Sequence, residues 1–250
     1  MKFAFTSTIL AAACFAGAQS LSTGFEGPSY GLGNTLTGTN GWDSISGANV
    51  GVIVNDPVKE GTQAVKLVRS GSDAATYGAY LTHSGWITDP AHPIVTIEWD
   101  MNLLDGLVKS EMWGMSAMWG TSNERFTLGV NASNKLTVRN AWIGTVQTNI
   151  AVARGVWNHY RMDLNYETDW AGVYLNNNYV GEWKMLPGLN ELSNTALFNR
   201  GFDANDGAIY DGLSIRGGIS VEQPVPEPAS MAALGLGAMA LIRRRRAAKR

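Results

Sequence analysis

The middle of the chain alternates apolar and polar side chains in short runs, the period of half-buried strands. Ile97, Trp99, Met101 and Leu103 alternate with Thr96, Glu98, Asp100 and Asn102. Trp113, Met115, Ala117 and Trp119 repeat that spacing among smaller residues. Phe126, Leu128 and Val130 do so again before a turn at 131–134 leads into Leu136 and Val138. The clearest hairpin runs from Gly172 to Trp183, because the asparagines at 176–178 accept the positive φ of a tight turn. Gly, Asn, Thr and Ser recur roughly every eight to twelve residues, and no long stretch carries a helical apolar period. Successive strands without intervening helices pair antiparallel, which predicts an all-β, two-sheet sandwich over residues 19–221.

Both ends break this pattern. Met1 and Lys2 precede an apolar stretch from Phe3 to Phe15, and Ala16-Gly17-Ala18 supplies a small-residue cleavage site before Gln19. Residues 1–18 therefore read as a secretory signal peptide, cut between Ala18 and Gln19. At the other end, residues 222–228 form a Pro-rich linker that stops any helix from extending upstream. An apolar segment follows at 229–242, and residues 243–250 form a basic tail led by Arg243, Arg244, Arg245 and Arg246. Arginines beside an apolar helix stay cytoplasmic. A segment of this length is roughly 21 Å long as a helix, short of the roughly 30 Å hydrocarbon core. It is a marginal membrane anchor whose deficit arginine snorkelling and local thinning reduce.

The order Val225-Pro226-Glu227-Pro228, Gly-punctuated apolar run, terminal Arg cluster resembles the PEP-CTERM sorting signal of exported bacterial proteins. The resemblance implies a membrane-embedded, transpeptidase-like enzyme, exosortase, as partner, cutting near the motif. It implies sorting to the envelope, the cell surface or the extracellular matrix, with membrane lipid as a transient partner. An ordinary C-terminal anchor has the same layout, and whether the tail is cut or kept stays open.

Setting the ends aside changes the charge. They hold seven of the 19 basic residues and no acid, which leaves 12 basic against 21 acidic residues between Gln19 and Pro228, a net −9. A domain so acidic repels phosphate backbones, so nucleic acid is excluded as a partner. The single cysteine, Cys14, lies in the leader, and the mature chain has no disulfide or thiolate metal site.

Within the domain, several pieces follow one another in a set order. They are Gly24-Phe25-Glu26-Gly27, Gly38-Thr39-Asn40-Gly41-Trp42, the strand Gln63–Leu67, Gly155–Tyr160, the asparagine hairpin, and the closing Ile209–Ile215. Their order resembles a concanavalin A-like jelly roll, the plan of laminin-G-like and legume-lectin-like domains. It implies that the opening and closing pieces are neighbouring strands.

The resemblance also covers glycan hydrolases whose catalytic strand reads Glu-x-Asp-x-x-Glu or Glu-x-Asp-x-Glu. Glu98-Trp99-Asp100 begins that pattern, but Asn102 and Leu103 stand where the second glutamate belongs. No general acid is left, so the expectation is a protein that is not an enzyme and a solvent-facing polar side to the Ile97 strand. His83, His92 and His159 have no ligand-spaced partners and read as surface or turn residues. Asp203, Asn205 and Asp206 place three side-chain oxygens in one loop; calcium is one occupant and an Asx-turn without metal the other, and no further cofactor is expected. Nine tryptophans remain to be placed. Trp99, Trp113, Trp119 and Trp157 lie in strand patterns and are assigned to the core. Trp42, Trp86, Trp142 and Trp170 stand beside turn residues and are the candidates for glycan stacking, with extracellular polysaccharide as the partner. Three readings stand: an envelope or matrix protein without catalysis, a carbohydrate-binding module, and a glycan hydrolase or lyase.

Overall fold

In the computed structural model, residues 20–45, 50–68, 76–82, 93–104, 112–119, 123–140, 142–188, 192–200 and 207–217 are described. The leader, Trp86, His83 and His92, the 203–206 loop, and the sorting signal with its apolar segment and Arg cluster lie outside them. The chain divides into a unit ending at Gly218 and a second, Ile219–Arg250. Among the described residues there is no helix, and so none long and apolar enough to cross a membrane.

Fifteen strands are described. They begin with β1 (Ser20–Thr23), β2 (Trp42–Ser44), β3 (Val52–Val54), β4 (Ala64–Val68) and β5 (Thr76–Thr82). β6 (Ile94–Leu103), β7 (Met112–Trp119), β8 (Asn123–Asn131), β9 (Lys135–Asn140) and β10 (Gly144–Ala151) follow. β11 (Trp157–Asn165), β12 (Trp170–Leu175), β13 (Asn178–Lys184), β14 (Asn194–Arg200) and β15 (Gly207–Gly217) complete the order. They form two antiparallel sheets. One runs β13-β12-β11-β6-β15-β4-β3 with β1 beside β15, the other β10-β9-β8-β7-β14-β5-β2. This is the two-sheet antiparallel sandwich that the alternation predicts, in the jelly-roll plan that the resemblance implies. The opening and closing strands are neighbours, with Ser20 opposite Arg216 and Thr23 opposite Leu213.

The core lies between the sheets. Ile97, Trp99, Met101 and Leu103 of β6 point inward, as do Tyr160, Met162 and Leu164 of β11 and Trp113, Met115 and Ala117 of β7. Trp99 stacks on Tyr160 with ring centroids 5.4 Å apart. Each buried ring of this size contributes on the order of 2–3 kcal/mol through the apolar area it removes from water. Tyr210 crosses the core from the first sheet, and its hydroxyl lies 3.2 Å from the carbonyls of both Gly114 and Phe198 in the second. The buried phenol thereby meets its hydrogen-bonding need.

The second sheet is buried on both faces around β7, β8 and β14. Met112, Ser116, Met118, Thr127, Ala196 and Phe198 are as buried as the core-facing residues beside them. Gly129, Gly114, Phe198 and Gly78 stand in one row across four strands. A Cβ at Gly114 would sit 2.2 Å from the Leu128 carbonyl oxygen, so only glycine fits there.

Trp42 is a correction to the expected exposure. It is 2% exposed. Its ring packs 6.1 Å from that of Phe25, and its Nε1 donates to the Tyr30 hydroxyl at 3.2 Å. Residues 25–30 thus fold back over a ring that its turn neighbours mark as exposed. Trp157 departs the other way: it is half-buried and pairs with Asn102, on the side of β11 away from the core.

Candidate functional site

The outward side of the first sheet carries the polar half of each alternating strand, and the strand register arranges those residues in rows. Tyr179, Tyr174, Arg161, Glu98 and Ser214 lie side by side on β13, β12, β11, β6 and β15. The next row is Glu182, Gly172, Asp163, Thr96 and Arg216, and the row after it is Lys184, Trp170, Asn165 and Ile94.

An ionic lattice occupies the middle of this face. Arg216 Nη2 contacts Glu98 Oε2, and Arg161 Nε lies 3.9 Å from Glu98 Oε1. Arg161 forks onto Asp163 at 2.9 and 2.5 Å, and Thr96 Oγ1 donates to the same carboxylate at 2.8 Å. The Arg161 guanidinium also lies over the Tyr174 ring, 4.4 Å from its centroid. Burial disfavours its charge, but Asp163, Tyr174 and Glu98 outweigh burial and hold its pKa above the ordinary value. Glu98 and Asp100 therefore sit within the ionic lattice rather than on a free polar side. Both Glu98 carboxylate oxygens are thereby met by guanidiniums, Oε2 by Arg216 and Oε1 by Arg161.

His159, Asp100 and Asp211 form a neighbouring row on β11, β6 and β15. His159 Nδ1 lies 3.4 Å from Asp100 Oδ1. The hydrogen bond that the imidazole donates to Asp100 is the main cause raising its pKa, against partial burial. The histidine is thus an ion-pairing residue rather than a bare surface one. Asp211 is fully buried, and burial raises its pKa. Its Oδ2 accepts from the Lys59 and Glu60 amides at 2.9 and 3.1 Å, and its Oδ1 from Gly212 N at 2.8 Å. Glu26 holds the other end of that loop, accepting from Thr62 N, Thr62 Oγ1 and Gln63 N at 2.8, 2.6 and 3.1 Å. Both carboxylates are spent on this loop, Asp211 on amides and Glu26 on amides and the Thr62 hydroxyl, and act as its anchors. Beside Glu26 opens a groove of about 420 Å³ lined by Thr23, Ser29, Tyr30, Asn40 and Leu81.

The aromatic residues gather at the β12–β13 margin. Trp170, Tyr179 and Trp142 are 42%, 57% and 55% exposed. Trp170 and Lys184 are direct cross-strand partners, and the Lys184 ammonium lies 4.8 Å from the centroid of the Trp142 ring. Two tryptophans that are distant in sequence therefore flank one lysine. Asn140, fully buried at the end of β9, makes this possible. Its Oδ1 accepts from the amides of Trp142 and Ile143 at 2.8 and 2.7 Å, and its Nδ2 donates to the Lys184 carbonyl at 2.5 Å. One side chain thus joins the β9–β10 turn of one sheet to the edge strand of the other. Tyr174 and Tyr179 continue the strip, their rings edge to face with centroids 5.3 Å apart. Partial desolvation and the Glu182 carboxylate beside it raise the Tyr179 phenol.

Of the four tryptophans put forward from sequence, Trp142 and Trp170 come together here. Trp42 belongs to the core, and Trp86 is outside the described residues. Sequence reasoning missed Tyr174, Tyr179 and Lys184. Their signal was present in the Trp170, Gly172, Tyr174 alternation, which continues the period of β12 onto its outward side. Among the described residues no cluster of three metal-ligating side chains occurs. The loop proposed for calcium, Asp203, Asn205 and Asp206, lies outside them.

Comparison with known proteins bears on two parts of the chain. Residues 224–246 match the PEP-CTERM protein-sorting motif. The chain is thus an exported, membrane-processed protein, with exosortase as its processing partner. No curated protein sequence matches the chain. Among solved structures, the cellulose-induced protein Cip1 superposes with a TM-score of 0.56 at 11% identity, over 78% of this chain and 96% of that one. A sialidase superposes with a TM-score of 0.52 at 10% identity over 73% of this chain, which spans 17% of the sialidase's length. At such identities the likeness is one of fold. The described domain is a concanavalin A-like jelly roll, and the chain joins that fold to a PEP-CTERM sorting signal.

Proposed function

We propose that this protein is a non-catalytic, polysaccharide-binding component of the cell envelope or extracellular matrix, held briefly in the membrane by its tail. The observation that carries the reading is the convergence of Trp142 and Trp170 on Lys184 at the rim of an exposed aromatic strip. Aromatic faces carry negative quadrupole density and attract the polarised C–H face of a sugar ring, while tyrosine hydroxyls and carboxylates bond its hydroxyls. Exposing three large rings in water is unfavourable unless something covers them.

A non-catalytic role is supported by how the carboxylates of this face are used: Glu98 by two arginines, Asp163 by Arg161, Asp211 by amides. The sorting motif supports a surface destination for such a binder. The test is retention of the full chain, purified in detergent, on a panel of immobilised polysaccharides. Retention that falls in the Trp142→Ala and Trp170→Ala variants supports the reading. Uniform failure to bind, or release of sugar products by wild-type protein but not by Glu98→Gln, would overturn it.

A further inference from the structure

The aromatic strip is interrupted once, at Gly172. This glycine lies on the outward side of β12, two residues from Trp170 on one side and two from Tyr174 on the other. Its cross-strand partners are Asp163 on β11 and Glu182 on β13. A Cβ built there would meet nothing closer than Tyr174 Cε2 at 3.7 Å and Asp163 Cβ and Tyr179 Cε2 at 3.9 Å. No backbone demand for glycine accompanies this position, since its φ is outside the left-handed region. The absent side chain leaves a trough with a tryptophan at one end, two tyrosines at the other, and a carboxylate on each flank.

The geometry points to a single-sugar subsite over Gly172, and to an uncharged glycan with vicinal hydroxyls as its ligand. This rests on the polysaccharide-binding reading above. Trp170 and Tyr174 lie four residues apart on one side of a strand, roughly 13 Å along the backbone, and the Tyr174 and Tyr179 ring edges lean toward the glycine as one wall of the trough. Carboxylates are acceptors only, and two of them facing one ring match the donors of a diol. Asp163 is held in place by Arg161 and Thr96, so its remaining lone pair has a fixed direction. Glu182 is exposed and neighbours the Tyr179 hydroxyl. A uronate would place a third carboxylate between these two in a domain whose net charge is already −9. The Lys184 ammonium, in Trp170's row, lies over the Trp142 ring.

The experiment measures binding of the full chain in detergent to soluble β-glucan, mannan and dextran, with polygalacturonate as the acidic polymer. At least one neutral polymer is bound, with affinity little changed by salt, and polygalacturonate is not. Gly172→Leu fills the trough and weakens binding by about tenfold or more, whereas Gly172→Ala stays within about twofold. Glu182→Gln, an isosteric change at an exposed position, weakens it by about tenfold through loss of a charge-assisted bond. Circular dichroism shows whether Gly172→Leu has folded, and Glu182→Gln carries the test if it has not. Neutral binding that needs Trp170 but ignores Gly172→Leu and Glu182→Gln would overturn the subsite and leave the binding face standing. Tighter, salt-sensitive binding of polygalacturonate would overturn the ligand class. No binding of any polymer would remove the broader reading together with this one.

Discussion

Arg125 is a charged residue that the fold buries completely. Its side chain is fully buried between the sheets, over the Tyr166 ring, with its guanidinium 5.0 Å from the centroid. Its Nη2 reaches Asp169 at 3.4 Å, while Nε and Nη1 have no protein acceptor. Burial lowers its pKa, opposed by Tyr166 and Asp169. A buried charge of this kind depends on its one carboxylate. Asp169→Asn is the clean probe, because asparagine tolerates the φ of 57° found there. The variant should lose about 1–3 kcal/mol of unfolding free energy, read by urea denaturation with an unchanged m-value. His159 makes a second residue-scale prediction. Its raised pKa means that its pairing with Asp100 stabilises the fold fully below the ordinary imidazole value, and that this stability is lost as pH rises through the raised one. The groups facing it are Asp100, Glu98 and Lys59. His159→Gln should therefore lower the thermal midpoint near pH 6 and approach wild type by pH 9, with an effect under about 1 kcal/mol because the pair is partly exposed. Scanning calorimetry at both values checks the sign.

Among the elements, the β9–β10 turn has the clearest division of labour. Its position is set by Asn140 rather than by the strands it joins, through three hydrogen bonds that reach both sheets. Asn140→Ala should cost about 2 kcal/mol, since the Trp142 and Ile143 amides and the Lys184 carbonyl lose their partner. It should also weaken polysaccharide binding as strongly as Trp142→Ala does, with the emission of Trp142 shifting to the red. Unchanged binding in Asn140→Ala would show that the turn holds its place without this joint. This joint was illegible in the sequence because it links residues 44 positions apart. The strands themselves were legible: the alternation of Ile97, Trp99, Met101 and Leu103 in β6, of Trp113, Met115 and Ala117 in β7, and of Phe126, Leu128 and Val130 in β8 names the core side of each correctly. Alternation reports only that two sides differ, however, and the partner sheet decides which side meets water. Trp157 fell on the wrong side for that reason. Trp42 was misjudged because Asn40 and Gly41 mark a turn, and the fold-back of Tyr30 over its ring has no local signature. The Glu98–Arg216 pair was equally hidden, since it joins strands β6 and β15 across 118 residues.

For the whole molecule, the pairing of β1 with β15 constrains how the two ends are processed. β1 starts at Ser20, one residue after the expected leader cleavage, and all four of its residues pair with Leu213–Arg216. A cut further downstream would strip a strand from β15 and uncover the apolar side against which Leu21 packs. The expected cleavage between Ala18 and Gln19 would leave β1 whole. At the other end β15 closes at Gly217 and the sorting motif begins at 224, so residues 218–223 are the spacer. Mass spectrometry of protein from the native host should find Gln19 at the amino end and a carboxyl end close to Pro228. Replacing Pro226, Glu227 and Pro228 together by alanine should leave the amino end unchanged and cause a longer, membrane-held form with the Arg cluster intact to accumulate. If the altered chain were processed at the same point, recognition would lie in the apolar segment and arginines instead. If the unaltered chain kept its leader, the export reading itself would fail, whatever the domain binds.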